Sequence, residues 1–290
     1  MKAIGLLSRT LCKLLLPFLI LPQAFANSDE RAAFTFNVIS DIPYNAQQET
    51  LLSETIVPAL LARPGPFLMH LGDINSGSLA CSDLLLDMRA REIRDMHPEA
   101  VFFTPGDNDW TDCDRKKTGA PTSEIAKLDQ IRRLFYQDSD PYPSSLTVKS
   151  QPLYPENKRW IHKGIPFATL HVVGTNNGRA EILEDPLPLA LAHVAARDAA
   201  NIAWLDLLFE AADRLNAPAV IVGMQGDPSR AKYDGICSES NPQKCNGFAK
   251  LNNHLRQKAG TYGKPVLLIH GDTSPYCTDK GFGGKEAPLL

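Results

Sequence analysis

The 290-residue chain has no apolar run long enough to span a membrane, no surplus of basic residues and no close-spaced cysteine pair. Each absence removes a class of function. The longest apolar stretch, Leu14 to Leu21, falls well short of the roughly 20 residues a bilayer demands, and Pro17 and Pro22 break it. Lys and Arg number 30 against 33 Asp and Glu, a formal net charge of -3, which gives no basic surface of the kind that grips nucleic acid. No C-x-x-C or C-x-x-H pair is present for a zinc knuckle. Histidine is scarce, seven in all, and heptads and solenoid repeats are lacking. What remains is a globular composition, 43% hydrophobic and 22% charged, of a length that suits one large domain or two small ones.

The N-terminus has a pattern of its own. Lys2, Arg9 and Lys13 precede and flank the apolar run, and Ala24-Phe25-Ala26 is a small-x-small cleavage site. This is the layout of a secretory signal peptide over residues 1–26, cleaved before Asn27. The expectation is an exported chain, periplasmic or secreted, with a single domain over 27–290, a mildly acidic surface and no membrane span after cleavage. Five cysteines then remain. An oxidising compartment permits disulfides. Cys237 and Cys245 bracket a polar loop that they can close. Cys81 and Cys113 each follow an acidic motif, so a bridge between them requires the two motifs to converge. Cys277 is left over. The competing expectation is five reduced, buried thiols.

Along the mature chain, short β-branched or aromatic runs alternate with amphipathic ones. Strands are expected at Phe34 to Ser40, Phe67 to Leu71, Val101 to Thr104, Trp160 to His162, Phe167 to Val173, Ala219 to Met224 and Pro265 to His270. Helices are expected at Glu49 to Leu61, Ser82 to Met96, Ser123 to Tyr136 with Ser123 as its N-cap, Leu189 to Ala212 and Phe248 to Ala259. This alternation predicts an α/β domain with largely parallel pairing. The Pro-, Ser- and Tyr-rich segment Asp138 to Asn157 reads as a long surface loop, either a lid or an unstructured insertion.

Nearly every expected strand is followed at once by an acidic or amide side chain in a tight turn. The turns are Asp41-Ile42-Pro43-Tyr44, Gly72-Asp73-Ile74-Asn75, Gly106-Asp107-Asn108-Asp109-Trp110, Gly174-Thr175-Asn176-Asn177, Gln225-Gly226-Asp227 and His270-Gly271-Asp272. Ligands of open α/β sheets bind beyond the carboxyl ends of the strands. Any one Gly-Asp is an ordinary turn. Four of them, with Asp41 after a fifth strand, crowd carboxylates that repel one another unless a cation sits among them.

This series resembles the calcineurin-like metallophosphoesterases, whose blocks run Asp-x-His, Gly-Asp, Gly-Asn-His-(Asp/Glu), a His, then Gly-His-x-His. It looks most like an exported bacterial branch with G-D-N-(D/E)-W-T-D-C, the form of Gly106 to Cys113. The resemblance covers Phe34 to Asp279. It implies a two-sheet β-sandwich flanked by helices, and metal-assisted hydrolysis of phosphate mono- or diesters by a metal-activated water. Asp41, Asp73, Asp107, Asn108, Gln225 and Asp272 fall at metal-binding positions. Asn108, Asp109 and His270 fall at or beside catalytic ones. Asn176 and Asn177 either line the substrate side or cap their turn, and turn capping is the expected role of at least one of them. In an alternative register Asn108 is the ligand Asn and Asp107 an insertion.

Five expected histidines are here Pro43, Asn108, Gln225, Asp272 and Ser274. Oxygen donors suit Mg²⁺, Mn²⁺ or Ca²⁺ better than zinc or iron, so the expected cofactor is one or two of those ions. Asn108 can hydrogen-bond a phosphoryl oxygen but cannot give a proton as an imidazolium does, which leaves His270 as the candidate acid. His270 tied to a backbone carbonyl is the plainer reading. The expected partner is a small phosphorylated substrate, bound by a monomer. Two further readings stand beside the enzyme: a catalytically silent protein that binds a metal or a phosphoryl ligand, and a structural envelope protein stapled by calcium. His70 and His171 are expected in the core, Trp204 in the core of its helix, Arg89 to Arg94 on a solvated helix face, and Arg115-Lys116-Lys117 either beside a phosphate or in solvent. A closing strand after the last block is absent or replaced.

Overall fold

The computed structural model describes residues 33–136 and 142–290; the expected leader lies outside them. Three short apolar runs give strands β1 (Asn37–Ile39), β2 (Leu68–His70) and β3 (Val101–Phe103), all parallel in the order β1-β2-β3. Val38 pairs with Met69, and Met69 with Phe102. Parallel neighbours need long crossovers. The first runs through α1 (Ala46–Leu51), a π-helical stretch Leu52–Ile56 and α2 (Val57–Ala62); the second is α3 (Asp83–Asp95). The middle strand is wholly buried, as an unbroken apolar run requires. A fourth helix, α4 (Glu124–Phe135), starts at Ser123, whose hydroxyl accepts from the Ala126 N–H as the sequence foretold.

The second sheet has the order β4 (Lys149–Gln151), β5 (Tyr154–His162), β6 (Ile165–Thr169), β7 (Val220–Met224), β8 (Val266–His270). β4, β5 and β6 are antiparallel; β6, β7 and β8 are parallel. A single turn α5 (Gly174–Gly178) precedes the crossover helix α6 (Leu187–Arg214), and α7 (Ala249–Tyr262) leads into β8. The sheets share a hydrophobic core that includes Phe67, Met69, Phe102, Trp160 and Phe167, in which the Phe102 and Trp160 rings stack at 3.6 Å. Leu52, Leu86, Ile93 and Ile131 cover the outer face of the first sheet; Trp204, Leu208, Leu251 and Leu255 cover that of the second. The result is a mixed α/β architecture of two sheets and flanking helices. No helix among the described residues is long and apolar enough to cross a membrane.

Three expectations need correction. The expected loop or lid from Asp138 to Asn157 instead carries β4 and the start of β5, residues 137–141 lying outside the described ones. Its polarity hid a buried network. Glu156 is wholly buried against Arg132 and His171, and Asn157 against Gln151 and Asn201. Arg89 is not on a solvated face: it is buried between Glu49 and Glu92. β6 stops at Thr169 rather than Val173, because Val172 curls back to bond the Leu170 carbonyl at 2.9 Å. His70, His171 and Trp204 are core, as expected. No strand follows β8 among the described residues; the Leu289 carbonyl accepts from the Val266 N–H at 2.9 Å instead.

Candidate functional site

The strand ends of both sheets converge on one cluster of carboxylates. Asp41, Asp73 and Asp272 all take left-handed backbone, with φ of 58°, 56° and 57°. Such angles are uncommon for a non-glycine residue and cost the backbone free energy that the surrounding structure must offset. The blocks are tied in a ring. Asp41 donates its N–H to the Gly72 carbonyl at 3.1 Å, and the Asp272 N–H returns to the Asp41 carboxylate at 3.0 Å. Asp109 latches the second block to the third, since its oxygens accept from the N–H groups of Gly106, Asp73 and Ile74 at 2.7, 3.0 and 2.8 Å. Gln225 donates to Asp107 at 3.2 Å and accepts from Gly174 at 2.8 Å.

Three glycines let the carboxylates approach so closely. A Cβ on Gly106 would strike the Asp73 carboxylate, one on Gly174 that of Asp107, and one on Gly271 that of Asp41. Asn108 donates from Nδ2 to Asp73 at 2.9 Å. Tyr44, which is not among the expected site residues, donates its hydroxyl toward Asp73 at 2.7 Å and Asp41 at 3.0 Å. Asp73 and Asp107 are buried, whereas Asp41, Tyr44, Asn108 and Asp272 are half-buried and form the open side.

The charge is not neutralised within the cluster. Burial first, then the neighbouring carboxylates Asp107, Asp109 and Asp41, push the Asp73 carboxyl well above its usual range. Burial with Asp107 and Asp41 pushes Asp272 up to about 7, and burial raises Asp41. Beside this lies a second layer. Thr175, in a left-handed turn with Asn176 and Asn177, places its hydroxyl 2.7 Å from Asp107 and 3.0 Å from Asp112. Arg115 pairs with Asp112 and Glu181, so this member of the basic cluster is anchored in the site wall.

Several expected residues have other work. The amide atoms of Asn176 are spent on Gln243, Cys245 and Gly247. Those of Asn177 are spent on Val173, Asp198, Arg197 and Gly247. Both amides fasten this turn to the Cys237–Cys245 loop and to α6, in keeping with the turn-capping alternative. Asp109 is fully buried, its oxygens consumed by the latch. His270 has Nδ1 on the Gly271 carbonyl at 2.8 Å and Nε2 4.0 Å from Asp227, and no hydrogen bond or ion pair to Asp41, Asp73 or Asp107 among the described residues. The disulfides Cys81–Cys113 and Cys237–Cys245 both form, and Cys277 is free and exposed.

Cys113 leads into a buried acid pair. Asp114 Oδ1 and Glu124 Oε1 have no other partner among the described residues, and one proton held between the two carboxyls satisfies both. Burial, then Asp114 and Asp185, raise Glu124 to about 9, while Arg197 opposes the rise. The folded protein therefore binds this proton more tightly than the unfolded chain. The stabilisation is full below the unfolded pKa of about 4.5 and is lost as pH climbs toward 9. Glu124→Gln should melt with wild type near pH 5 and above it at pH 8, the gap widening between; melting curves across that range check this.

Among the described residues, no three His, Cys, Asp or Glu side chains converge closely enough to grip an ion as they stand; the Tyr44 hydroxyl and the Asn108 amide hold Asp73 instead. No protein-family model matches the chain, and no curated protein matches it.

Proposed function

We propose that this chain is an exported, metal-dependent phosphoesterase of the metallophosphoesterase type, acting in the periplasm or outside the cell. One observation carries the reading: Asp41, Asp73, Asp107 and Asp272 come from four strand ends in two sheets to a single half-open cluster whose like charges go uncompensated. Uncompensated carboxylates disfavour folding, so a cluster held by left-handed turns and glycine cradles points to a bound cation. The donor set fits. It is all oxygen, four carboxylates with the amides of Asn108 and Gln225 beside them, which suits Mg²⁺, Mn²⁺ or Ca²⁺. Such an ion would supply Lewis acidity toward phosphoryl oxygens. Asp109 keeps two blocks in register, Gln225 orients Asp107, and Asn108 stands at the open side where a phosphoryl oxygen arrives. The two disulfides fit an oxidising compartment.

A second reading is favoured by the histidines. Among the described residues no imidazole makes a hydrogen bond or ion pair with the four carboxylates, and His270 faces Asp227. A protein that holds a metal and a phosphoryl ligand without turnover would be built the same way. Metal-stripped protein, given Mg²⁺, Mn²⁺, Ca²⁺ or Zn²⁺ in turn with an aryl phosphomonoester and a phosphodiester, separates the two. The enzyme reading expects turnover with Mg²⁺ or Mn²⁺ and little with Zn²⁺. Metal binding without turnover of either ester would move the assignment to the binding protein, and tightly held stoichiometric zinc would sink the oxygen-site assignment.

A further inference from the structure

We infer that the phosphorylated ligand carries a long apolar chain, and that this chain lies in the groove between the open edges of the two sheets; the headgroup rests on the phosphoester reading above. β1 ends the first sheet and β8 the second. Between them runs a groove of about 1070 Å³, at the top of the roughly 300 to 1,000 Å³ of ordinary ligand pockets. Its walls are the unclosed side of the hydrophobic core. Ile269 packs against the cluster between the sheets, and Leu267, two residues earlier, shares its face of β8. That face belongs to the core, yet Leu267 is 50% exposed. Val38 and Leu71 belong to the same cluster and line the groove from the first sheet. Core surface left open in this way marks a place where an apolar group binds.

The groove runs up to the carboxylate cluster. Ser40, His270 and Thr273 line it, each within two residues of Asp41 or Asp272. A ligand seated in it has one end at the strand ends and the other along Leu267. The rim selects the charge of the head. Asp227 is spent, since its oxygens accept from the Ser229 N–H at 2.8 Å, the Ser229 hydroxyl at 2.6 Å and the Thr273 hydroxyl. Asp279 accepts from the Gly281 N–H at 2.6 Å. Arg230 and Lys280 are exposed cations on the same rim, so an anionic head is complementary. An extended peptide fits less well. It would pair with the β8 edge, where the Leu289 carbonyl already takes the Val266 N–H at 2.9 Å. Beyond the strand, the Asp272 carbonyl takes the Arg230 guanidinium at 3.3 Å. An alkyl chain asks for no backbone partner.

The probes are octyl and dodecyl phosphate, kept below their micelle concentrations, with inorganic phosphate as the head alone. Calorimetry on the wild type should show dodecyl phosphate bound about 10- to 200-fold more tightly than octyl phosphate, because each buried methylene is worth up to about fourfold. Leu267→Asn, at a half-exposed position, should weaken dodecyl phosphate by about 5- to 20-fold, with a melting curve to confirm the fold. Equal affinity of the wild type for the two chain lengths overturns the proposal. So does a dodecyl phosphate affinity untouched by Leu267→Asn, which would put the chain elsewhere. A concentration-dependent dimer in sedimentation that Leu267→Asn breaks up also overturns it, since the groove would then be a contact between copies. Turnover with Mn²⁺ separates this proposal from the reading it rests on. Chain-length-dependent binding without hydrolysis of either alkyl phosphate supports the groove and moves the chain to the binding-protein reading.

Discussion

Asp73→Asn should lower ester turnover by about three orders of magnitude, on the scale of losing a preorganised electrostatic group, and should raise the melting temperature of the metal-free protein. The two effects share one cause. Asp73 is buried, and burial with three neighbouring carboxylates drives its carboxyl far above the usual range. An amide removes that repulsion and still accepts from the Asn108 side. The same change removes the one carboxylate that faces Asp41, Asp107 and Asp109 together. Stability and function are thus opposed at this residue, a known trade-off at strained sites. The pH dependence follows with a definite sign. Carboxyls whose folded pKa values are raised, Asp272 to about 7 among them, bind protons more tightly in the folded state. Metal-free wild type should therefore lose stability as pH rises from about 4 to about 7, and the loss should be smaller in Asp73→Asn. Saturating Mg²⁺ or Mn²⁺ should reverse it in wild type alone, since a ligand that binds only the folded state stabilises it. Calorimetric scans of both proteins, with and without metal, would check all three statements. A metal-free variant no more stable than wild type would contradict the charge argument.

Loss of the Cys81–Cys113 bridge should be the largest single stability change. The bridge spans 32 residues, and loop closure of that size is worth about 3 to 4 kcal/mol. For a chain of this length that corresponds to a fall in melting temperature of roughly 6 to 16 °C. The location adds a functional cost. Cys113 lies between Asp112, on the Thr175 hydroxyl, and Asp114, in the buried acid pair. Freeing it loosens the wall behind Asp107. Cys81→Ser/Cys113→Ser should show lower stability and weaker Mn²⁺ binding together. The matching Cys237→Ser/Cys245→Ser variant closes a much shorter loop, with a separation of 8, and should lose less stability. Its effect on the site should run through Asn176, which bonds the Gln243 and Cys245 carbonyls. Thermal melts of the two double variants, side by side, give the ordering; equal losses would contradict it.

Much of the fold was legible because its signals are local. Strand runs such as Phe67 to Leu71 and a cap such as Ser123 are set by neighbours within a few residues. The Cys237–Cys245 pair was legible because it brackets one short loop, whereas the Cys81–Cys113 pair, 32 residues apart, followed only if the two motifs that carry it converge. The segment from Lys149 to Asn157 was not legible. Its strands bury Glu156 and Asn157, so the apolar alternation that announces a strand is missing, and the partners that make this tolerable, Arg132, His171 and Asn201, lie 15 to 44 residues away.

The sequence by itself placed an acidic or amide residue after nearly every strand run and a glycine beside most of them, and it placed five oxygen or apolar side chains where histidines would stand in the resembling family. Those facts determine the chemistry on offer, hard oxygen donors rather than imidazole. The tertiary structure decided which of them are free to act. Asp109 and Asn177 look as available in the chain as Asp107 and Asn108, yet their polar atoms are consumed by backbone groups and by helix α6. Tyr44 has no motif of its own, yet it stands between the two carboxylates of the first and second blocks. A polar side chain's role depends on whether its hydrogen-bonding capacity is already filled, and the partners that fill it here arrive from 20 to 70 residues away along the chain.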